Sequence, residues 1–157
     1  YSMKNRVMTQ TLIKSGTEPN LTADQEEHFF TYSLYPHAGT WREAGTEQEA
    51  LNLNVPAKAV AGAAEKDRME FLSVDKRDVV LETVKKAEDG DGVIVRLYEV
   101  ENARTKVTLH CAEAIASAEE TDLLENPIEG ALGVKENEIE LTIKPYEIRT
   151  IRIRTAK

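Results

Sequence analysis

The sequence is organised around residues 24–45, which read DQEEHFFTYSLYPHAGTWREAG. Between positions 28 and 35 the side chains alternate with the period of two that a β-strand requires. One face carries Phe30, Tyr32 and Leu34, and the other carries Phe29, Thr31, Ser33 and Tyr35. Pro36 has no N–H to donate and should end the hydrogen-bonded ladder. We therefore predict a central strand at residues 28–35, with Phe30, Tyr32 and Leu34 on its buried face.

Length, composition and charge limit the class of protein. The chain has 157 residues, of which 41% are hydrophobic, and this is enough for one sizeable core and one domain. Its formal net charge is -8 at pH 7. Nucleic acids and anionic membranes are bound by basic surfaces. We therefore expect an acidic surface with no nucleic-acid partner and no membrane partner.

Cys111 is the single cysteine of the sequence, so the chain can form no internal disulfide and no cluster of thiolate ligands. This is compatible with a reducing compartment, and we predict a cytoplasmic location. No apolar run approaches the roughly 20 residues of a membrane span, and the N-terminus lacks a signal-peptide pattern. The chain opens on Tyr1-Ser2-Met3-Lys4 and continues into strand-like sequence, as we expect of an excised fragment.

The first third of the sequence predicts a further strand, a loop and a helix. Residues 6–13 alternate like a strand, and residues 15–23 are rich in turn formers. Thr40–Glu43 and Thr46–Glu49 both fit the capping box, in which a Thr hydroxyl and a Glu carboxylate satisfy free N–H groups. We predict that one of these boxes begins a short helix that ends before Pro56.

Most of the remaining sequence predicts strands. Residues 57–67 are alanine-rich without a clear face, and we expect them to cross the surface. Residues 88–92 contain two glycines that can take the positive φ of a hairpin turn. The predicted strands cover residues 69–74, 79–85, 93–100, 106–111, 138–144 and 148–153, and the last has the irregular alternation of a bulge. We predict a mainly β fold, an antiparallel β-sandwich with one short helix.

Few side chains suggest chemistry by themselves. The three histidines lie far apart and lack the spacing of a helical metal site, so we expect no metal ligand in this chain. There is no glycine-rich phosphate loop and no nucleophile elbow, and we identify no catalytic residue. Trp41, Tyr32 and Tyr35 could stack on sugar rings, but such aromatic residues are also typical of core or interface packing. Both interpretations stay open.

Several short motifs, taken in order, resemble one family. They are Leu12–Ser15, Pro19, Asp24, His28, Phe30–His37, Trp41–Ala44, Leu51–Asn52, Phe71–Val74, Val80–Lys85, Asp91–Glu99 and Leu141–Thr150. Together they cover nearly the whole chain and resemble the C-terminal region of glycoside hydrolase family 38 α-mannosidases. The run Phe30–His37 is the specific part of this resemblance.

The resemblance implies that residues 1–157 are a single C-terminal β-sandwich domain of a larger α-mannosidase. Proteins of this family hold a zinc ion, its His and Asp ligands and the aspartate nucleophile of a retaining mechanism in an N-terminal α/β domain. No stretch of this chain matches those motifs. We therefore expect a fragment that is inactive alone, has no cofactor of its own and packs on the catalytic domain of the same protein. The intact enzyme would act on α-mannosides. Whether it forms a homo-oligomer stays open.

The resemblance also implies one loop near the substrate. The family's sandwich region sends a loop toward the catalytic cleft, with a pattern that resembles Asp, then Arg or Gln, then Gly. Asp24 and Gln25 match the first two positions, whereas Glu26 stands where the glycine is expected and argues against a close backbone approach to sugar. Gln25 could hydrogen-bond a mannose hydroxyl, and Asp24 could orient the loop or accept from a hydroxyl. Alternatively, Asp24 caps this turn.

Two functions of different classes follow from these observations. The first is a non-catalytic structural domain that completes a zinc-dependent α-mannosidase and lines the sugar cleft with one loop. The second is an autonomous carbohydrate-binding module. A large exposed apolar face on the chain would favour the first, and a shallow aromatic platform with saturable sugar binding would favour the second.

Overall fold

The computed structural model describes residues 1–63 and 67–156. The chain forms two compact units, Tyr1–Asn54 and Val55–Lys157. The expectation that residues 1–157 are a single domain stays a prediction. Within the described ranges, no helix has the length and apolar character needed to cross a membrane.

The first unit begins with a two-stranded antiparallel hairpin, β1 (Ser2–Lys4) and β2 (Val7–Thr9). Asn5 and Arg6 form its turn with φ angles of 52° and 64°, the left-handed pair that a two-residue type I′ turn requires. The predicted strand at residues 6–13 is therefore only partly right. Its ladder ends at Thr9, because β1 supplies a partner for three residues alone.

The helix α1 spans Thr46–Asn54. Immediately before it, the Glu43 carboxylate accepts a hydrogen bond from Thr40 N at 2.7 Å, and Thr40 Oγ1 accepts one from Glu43 N at 3.3 Å. These are the reciprocal bonds of a capping box. The helix itself begins at the second predicted box and ends before Pro56, as the sequence predicted.

The predicted central strand at residues 28–35 is wrong for this chain. These residues adopt no strand, and Phe30, Tyr32 and Leu34, expected on a buried face, are 47%, 68% and 76% exposed. A strand needs a neighbour for its N–H and C=O groups, and no described strand pairs with this segment. Alternation of side chains indicates which face a strand would bury, but it does not supply the neighbouring strand.

The second unit contains two antiparallel sheets. Its strands are β3 (Leu72–Val74), β4 (Val79–Lys86), β5 (Val93–Glu99), β6 (Thr105–Cys111), β7 (Ile115–Thr121), β8 (Pro127–Ala131), β9 (Val134–Lys135), β10 (Glu138–Ile143) and β11 (Ile148–Thr155). The four-stranded sheet has the order β3-β6-β10-β9, and the five-stranded sheet has the order β4-β5-β11-β7-β8. Both sheets contribute to one apolar core, so the predicted antiparallel β-sandwich is confirmed.

Alternate residues of each strand build this core. The inward positions of β6 and β10 are all at most 5% exposed: Val107, Leu109, Cys111, Ile139, Leu141 and Ile143. They pack with residues of the five-stranded sheet, among them Val95, Leu97, Ile151 and Ile153. Burying one such Leu or Ile side chain contributes about 1.5–3 kcal/mol, which makes the core the main source of stability in this unit.

The predicted hairpin at residues 88–92 connects β4 to β5 and is confirmed. Gly90 and Gly92 have φ angles of 81° and 96°, which favour glycine. At Gly92 an added Cβ would lie 2.6 Å from Ile153 O. Both the backbone conformation and the close approach of β11 therefore require glycine at this position.

Three strands of the second unit were not predicted, and each has a physical reason. β7 contains Ala and Glu, which are poor strand formers, and β8 contains Pro127 and Gly130, which suit only the edge of a sheet. β9 has two residues and is too short to produce a pattern. The irregularity predicted for residues 148–153 lies later, because the register of β11 against β7 shifts between Arg154 and Thr155.

Two further expectations concern the segment before β4. The strand predicted at residues 69–74 is shortened to β3, since β6 pairs only with Leu72–Val74. Part of the surface crossing predicted for residues 57–67 lies outside the described residues. The positions of that segment that are described have no helix or strand and are exposed.

Ion pairs tie the turn after β4 to the loop before β8. Arg152 of β11 is 6% exposed, and its Nη1 lies 2.6 Å from Asp89 Oδ2 while its Nη2 donates to Glu125 O at 3.3 Å. Lys85 Nζ lies 2.8 Å from Glu125 Oε1. The hydrogen bond from Lys85, followed by one from Glu88 N, lowers the pKa of Glu125. These contacts keep the carboxylate of Glu125 ionised.

The buried carboxylate of Glu99, the last residue of β5, forms hydrogen bonds with two neighbouring connections. Glu99 is 1% exposed and accepts hydrogen bonds from the N–H groups of Glu101 at 2.7 Å, Ala103 at 3.0 Å and Tyr146 at 2.9 Å. Burial is the largest influence on its pKa and acts to raise it, but the backbone donors together outweigh burial, so the pKa is lowered. The ionised Glu99 therefore joins the loop after β5 to the turn before β11.

Replacing Glu99 with Gln should destabilise the chain in a pH-dependent way. Because the folded pKa lies below the unfolded value of about 4.3, the stability that this carboxylate adds is present above that value and is lost as the pH falls through the folded pKa. We expect Glu99→Gln to lower the free energy of unfolding by about 1–3 kcal/mol at about pH 7, and by clearly less at about pH 3. Urea titrations at both pH values measure the difference.

The exposed Glu113 provides a matched control for this measurement. Glu113→Gln should change the free energy of unfolding by less than about 0.5 kcal/mol at either pH. A loss for Glu99→Gln that is the same at both pH values would contradict the role assigned to the charge.

Candidate functional site

The loop at residues 15–28 is fastened by its own side chains. Asn20 Oδ1 accepts hydrogen bonds from Thr22 N at 3.0 Å and Thr22 Oγ1 at 2.9 Å, and Asn20 O accepts one from Ala23 N at 3.2 Å. This arrangement is an Asx turn, in which a side-chain oxygen satisfies the backbone two residues later. The sequence placed Asn20 in a loop, and the signal for its capping role was the Thr two positions after it.

Asp24 connects the two sides of this loop. Its Oδ2 accepts a hydrogen bond from Ser15 Oγ at 2.7 Å, and its φ is 56°, a left-handed conformation that Asp adopts more readily than most residues. His28 Nε2 lies 3.0 Å from Asp24 O. Among the described residues, no backbone N–H donates to the Asp24 carboxylate, so the side chain that caps this turn is Asn20. Sequence reasoning did not identify Ser15 as the partner of Asp24.

Gln25 presents an oxygen that a ligand could use. Its Nε2 donates to Leu21 O at 3.1 Å, and this bond orients the amide group. Within residues 1–63 and 67–156, neither Gln25 Oε1 nor Asp24 Oδ1 accepts a hydrogen bond, and both residues are exposed. Oxygen acceptors such as these, on two consecutive residues, can bind hydroxyl donors such as those of a sugar. That Asp24 and Gln25 contact a sugar stays a prediction.

A groove of about 390 Å³ lies beside α1 in the first unit. Its lining combines an aromatic ring with hydroxyl, amide and carboxylate groups, from Ser33, Tyr35, Thr46, Glu49, Ala50, Asn52 and Leu53. Of the three aromatic residues proposed to stack on sugar, Tyr35 lines this groove, and its hydroxyl donates to Ala44 O at 3.1 Å. Trp41 instead has Arg42 Cζ 4.7 Å from its ring centroid, and Tyr32 is exposed.

The histidines have local partners. His37 Nδ1 lies 3.2 Å from Ala38 O, and His110 Nδ1 lies 3.8 Å from Glu138 Oε1. In the part of the chain that the structure describes, no three His, Cys, Asp or Glu side chains are grouped to hold a metal ion. The resemblance implies a zinc ion in a separate catalytic domain. That zinc ion stays a prediction.

Comparison with known proteins defines the class to which the second unit belongs. Residues 78–151, which run from the end of the β3–β4 connection into β11, match the family described as Glycosyl hydrolases family 38 C-terminal beta sandwich domain. This agrees with the two antiparallel sheets observed over the same residues. Residues 78–151 of the second unit therefore belong to the C-terminal β-sandwich domain of glycosyl hydrolase family 38, and the resemblance stated from the sequence motifs is confirmed.

The similarity to individual proteins extends over both units. The chain is 35% identical to the mouse (Mus musculus) protein Alpha-mannosidase 2C1 and 33% identical to the human (Homo sapiens) protein of the same name, and each comparison covers 96% of this chain. It is 32% identical, over 97% of its length, to Alpha-mannosidase G of Dictyostelium discoideum. The chain spans 15% of the length of each of these three relatives.

The Asx turn should hold the candidate loop, and removing it should expose one particular amide. In Asn20→Ala the N–H of Thr22 loses its acceptor, which is worth about 0.5–1.5 kcal/mol. We expect the amide hydrogen of Thr22 to exchange with solvent about 2- to 13-fold faster, as measured by NMR. Asp24→Ala is the control, because it removes the bond to Ser15 but leaves Asn20 Oδ1 in place. If the Thr22 amide exchanged faster in Asp24→Ala and at an unchanged rate in Asn20→Ala, the residue that caps this turn would be Asp24 and not Asn20.

Proposed function

We propose that this chain is the non-catalytic C-terminal part of a zinc-dependent, retaining α-mannosidase. The catalytic domain, with its zinc ion, would lie elsewhere in the same polypeptide, and the intact protein would hydrolyse α-mannosides in the cytoplasm. The observation that carries the proposal is the similarity of 96% of the chain to proteins named α-mannosidase, of which it spans 15%. A segment that covers so small a share of its relatives is one part of a larger enzyme.

The exposed side chains of the first unit support its packing on a catalytic domain. None of residues 1–54, all of which the structure describes, is buried. Large apolar side chains such as Met3, Leu21 and Leu34 are each more than 70% exposed. Apolar surface of this extent is typical of a face that another domain covers.

The loop with Asp24 and Gln25 is the part of this chain that we propose to line the sugar cleft. The acceptors Asp24 Oδ1 and Gln25 Oε1 lie on adjacent residues, and the bonds to Ser15 and Leu21 limit their motion. A loop held in place before the sugar binds loses less conformational entropy on binding. The role would be to position the substrate, because the resemblance puts the nucleophile in the catalytic domain.

Separating the chain from the rest of the enzyme tests the proposal. The 157-residue chain alone should not hydrolyse an aryl α-mannoside and should retain no stoichiometric zinc after dialysis, because a catalytic zinc site needs about three converging protein ligands. The intact protein should do both. Hydrolysis rates and elemental analysis measure these outcomes. Activity of the chain alone would contradict the proposal, and saturable binding of mannose by the chain alone would instead indicate a carbohydrate-binding module.

Gln25→Ala in the intact protein tests the contact with substrate. Loss of one hydrogen bond should lower kcat/KM by about 2- to 13-fold, equivalent to about 0.5–1.5 kcal/mol, and leave the melting temperature nearly unchanged. Gln48→Ala is the matched control, because Gln48 Nε2 also makes a single local bond, to Asn52 Oδ1 at 3.3 Å, but lies on α1. If Gln25→Ala, Gln48→Ala and the unsubstituted protein had the same kcat/KM, Gln25 would have no role in binding substrate.

A further inference from the structure

We infer that residues 28–35 form a β-strand in the intact protein by pairing with a strand of the catalytic part of the same polypeptide. The inference rests on the proposed function, which puts that part in the same chain. It goes beyond that function in naming the segment and the kind of contact, which is backbone pairing.

The backbone of this segment has no hydrogen-bond partner among the residues that the structure describes. Across residues 28–36, no N–H or C=O group forms a backbone hydrogen bond with another described residue. The side-chain bonds of His28 and Tyr35 reach Asp24 O and Ala44 O, outside the segment. These two bonds hold the ends of the segment and leave the backbone between them available. Free N–H and C=O groups in a row are a template for a neighbouring strand.

The side chains of the segment alternate as in a strand. Phe30, Tyr32 and Leu34 would lie together on one side, with Phe29, Thr31, Ser33 and Tyr35 on the other. Aromatic residues and Thr favour strands. The structure nevertheless leaves this apolar face uncovered, since Tyr32 and Leu34 are 68% and 76% exposed. The face needs a partner that contributes apolar surface in addition to hydrogen bonds.

The partner is the rest of the polypeptide rather than a second copy of this chain. The chain spans 15% of the length of its relatives, so a large part of such a protein lies outside it. Pairing within one polypeptide acts at an effective concentration of the order of mM. Two copies of this chain would instead bring together two acidic molecules, each with a formal net charge of -8, which repel one another.

Hydrogen–deuterium exchange of residues 28–35 tests the inference directly. We expect every second amide of this segment, the set that points to the partner strand, to exchange without protection in the 157-residue chain. In the intact protein these amides should exchange about 100-fold or more slowly, because a paired strand must open before it exchanges. Equal exchange in the two proteins would overturn the inference even if the intact protein hydrolyses α-mannosides. Protection that appears in the chain alone as its concentration is raised would show a second copy as the partner and would also overturn it.

Proline substitutions identify the N–H groups that form the ladder. Successive N–H groups of a strand point to opposite sides, so at least one of Thr31→Pro and Tyr32→Pro must remove a hydrogen bond to the partner. That variant should lose the protection of these alternate amides in the intact protein, while Thr31→Ala and Tyr32→Ala, which keep the N–H, should retain it. The melting temperature of the 157-residue chain should be the same with and without either proline. Retained protection in both proline variants would overturn the inference.

Discussion

Packing of the two sheets across one apolar core is the interaction on which the second unit depends, and β11 shows how it is arranged. Ile151 and Ile153 of this strand are buried in the core. The residue between them, Arg152, points to the opposite face and pairs with Asp89. Because the side chains of a strand alternate strictly, one register determines both the core contacts and the ion pairs. A slip of one residue would place arginine in the core and isoleucine among carboxylates.

Alternation predicted β4, β5, β6 and β10, because each of these strands carries its own apolar stripe. It could not predict β7, whose sequence is rich in Ala and Glu. The position of β7 is determined by ion pairs with its neighbour β11. Glu119 Oε1 lies 3.0 Å from Arg154 Nη2, and Glu120 Oε2 accepts a hydrogen bond from Arg149 Nη2 at 2.5 Å. Both arginines belong to β11, about thirty residues later in the sequence. Local sequence cannot contain information about such a distant pair.

For the candidate site too, the sequence predicted local features but not contacts between residues distant in the sequence. The motif resemblance identified Asp24 and Gln25, and composition identified a loop around them. The bond between Asp24 and Ser15 joins residues nine positions apart in the sequence, and its geometry is a property of the folded backbone. Residues 28–35 are the opposite case, because their alternation is clear and yet no strand forms. A strand is defined by two segments, and the sequence of one of them is not sufficient.

The order of strands in the five-stranded sheet determines when this domain can be completed. Among the described strands, β11 comes last in the sequence and lies in the middle of the sheet, between β5 and β7. During synthesis, the hairpin of β4 and β5 and the pair of β7 and β8 emerge first, each with an edge that only β11 can cover. Until residues near 155 have left the ribosome, those edges remain open to other chains. The five-stranded sheet is therefore completed only when the eight residues of β11 are available.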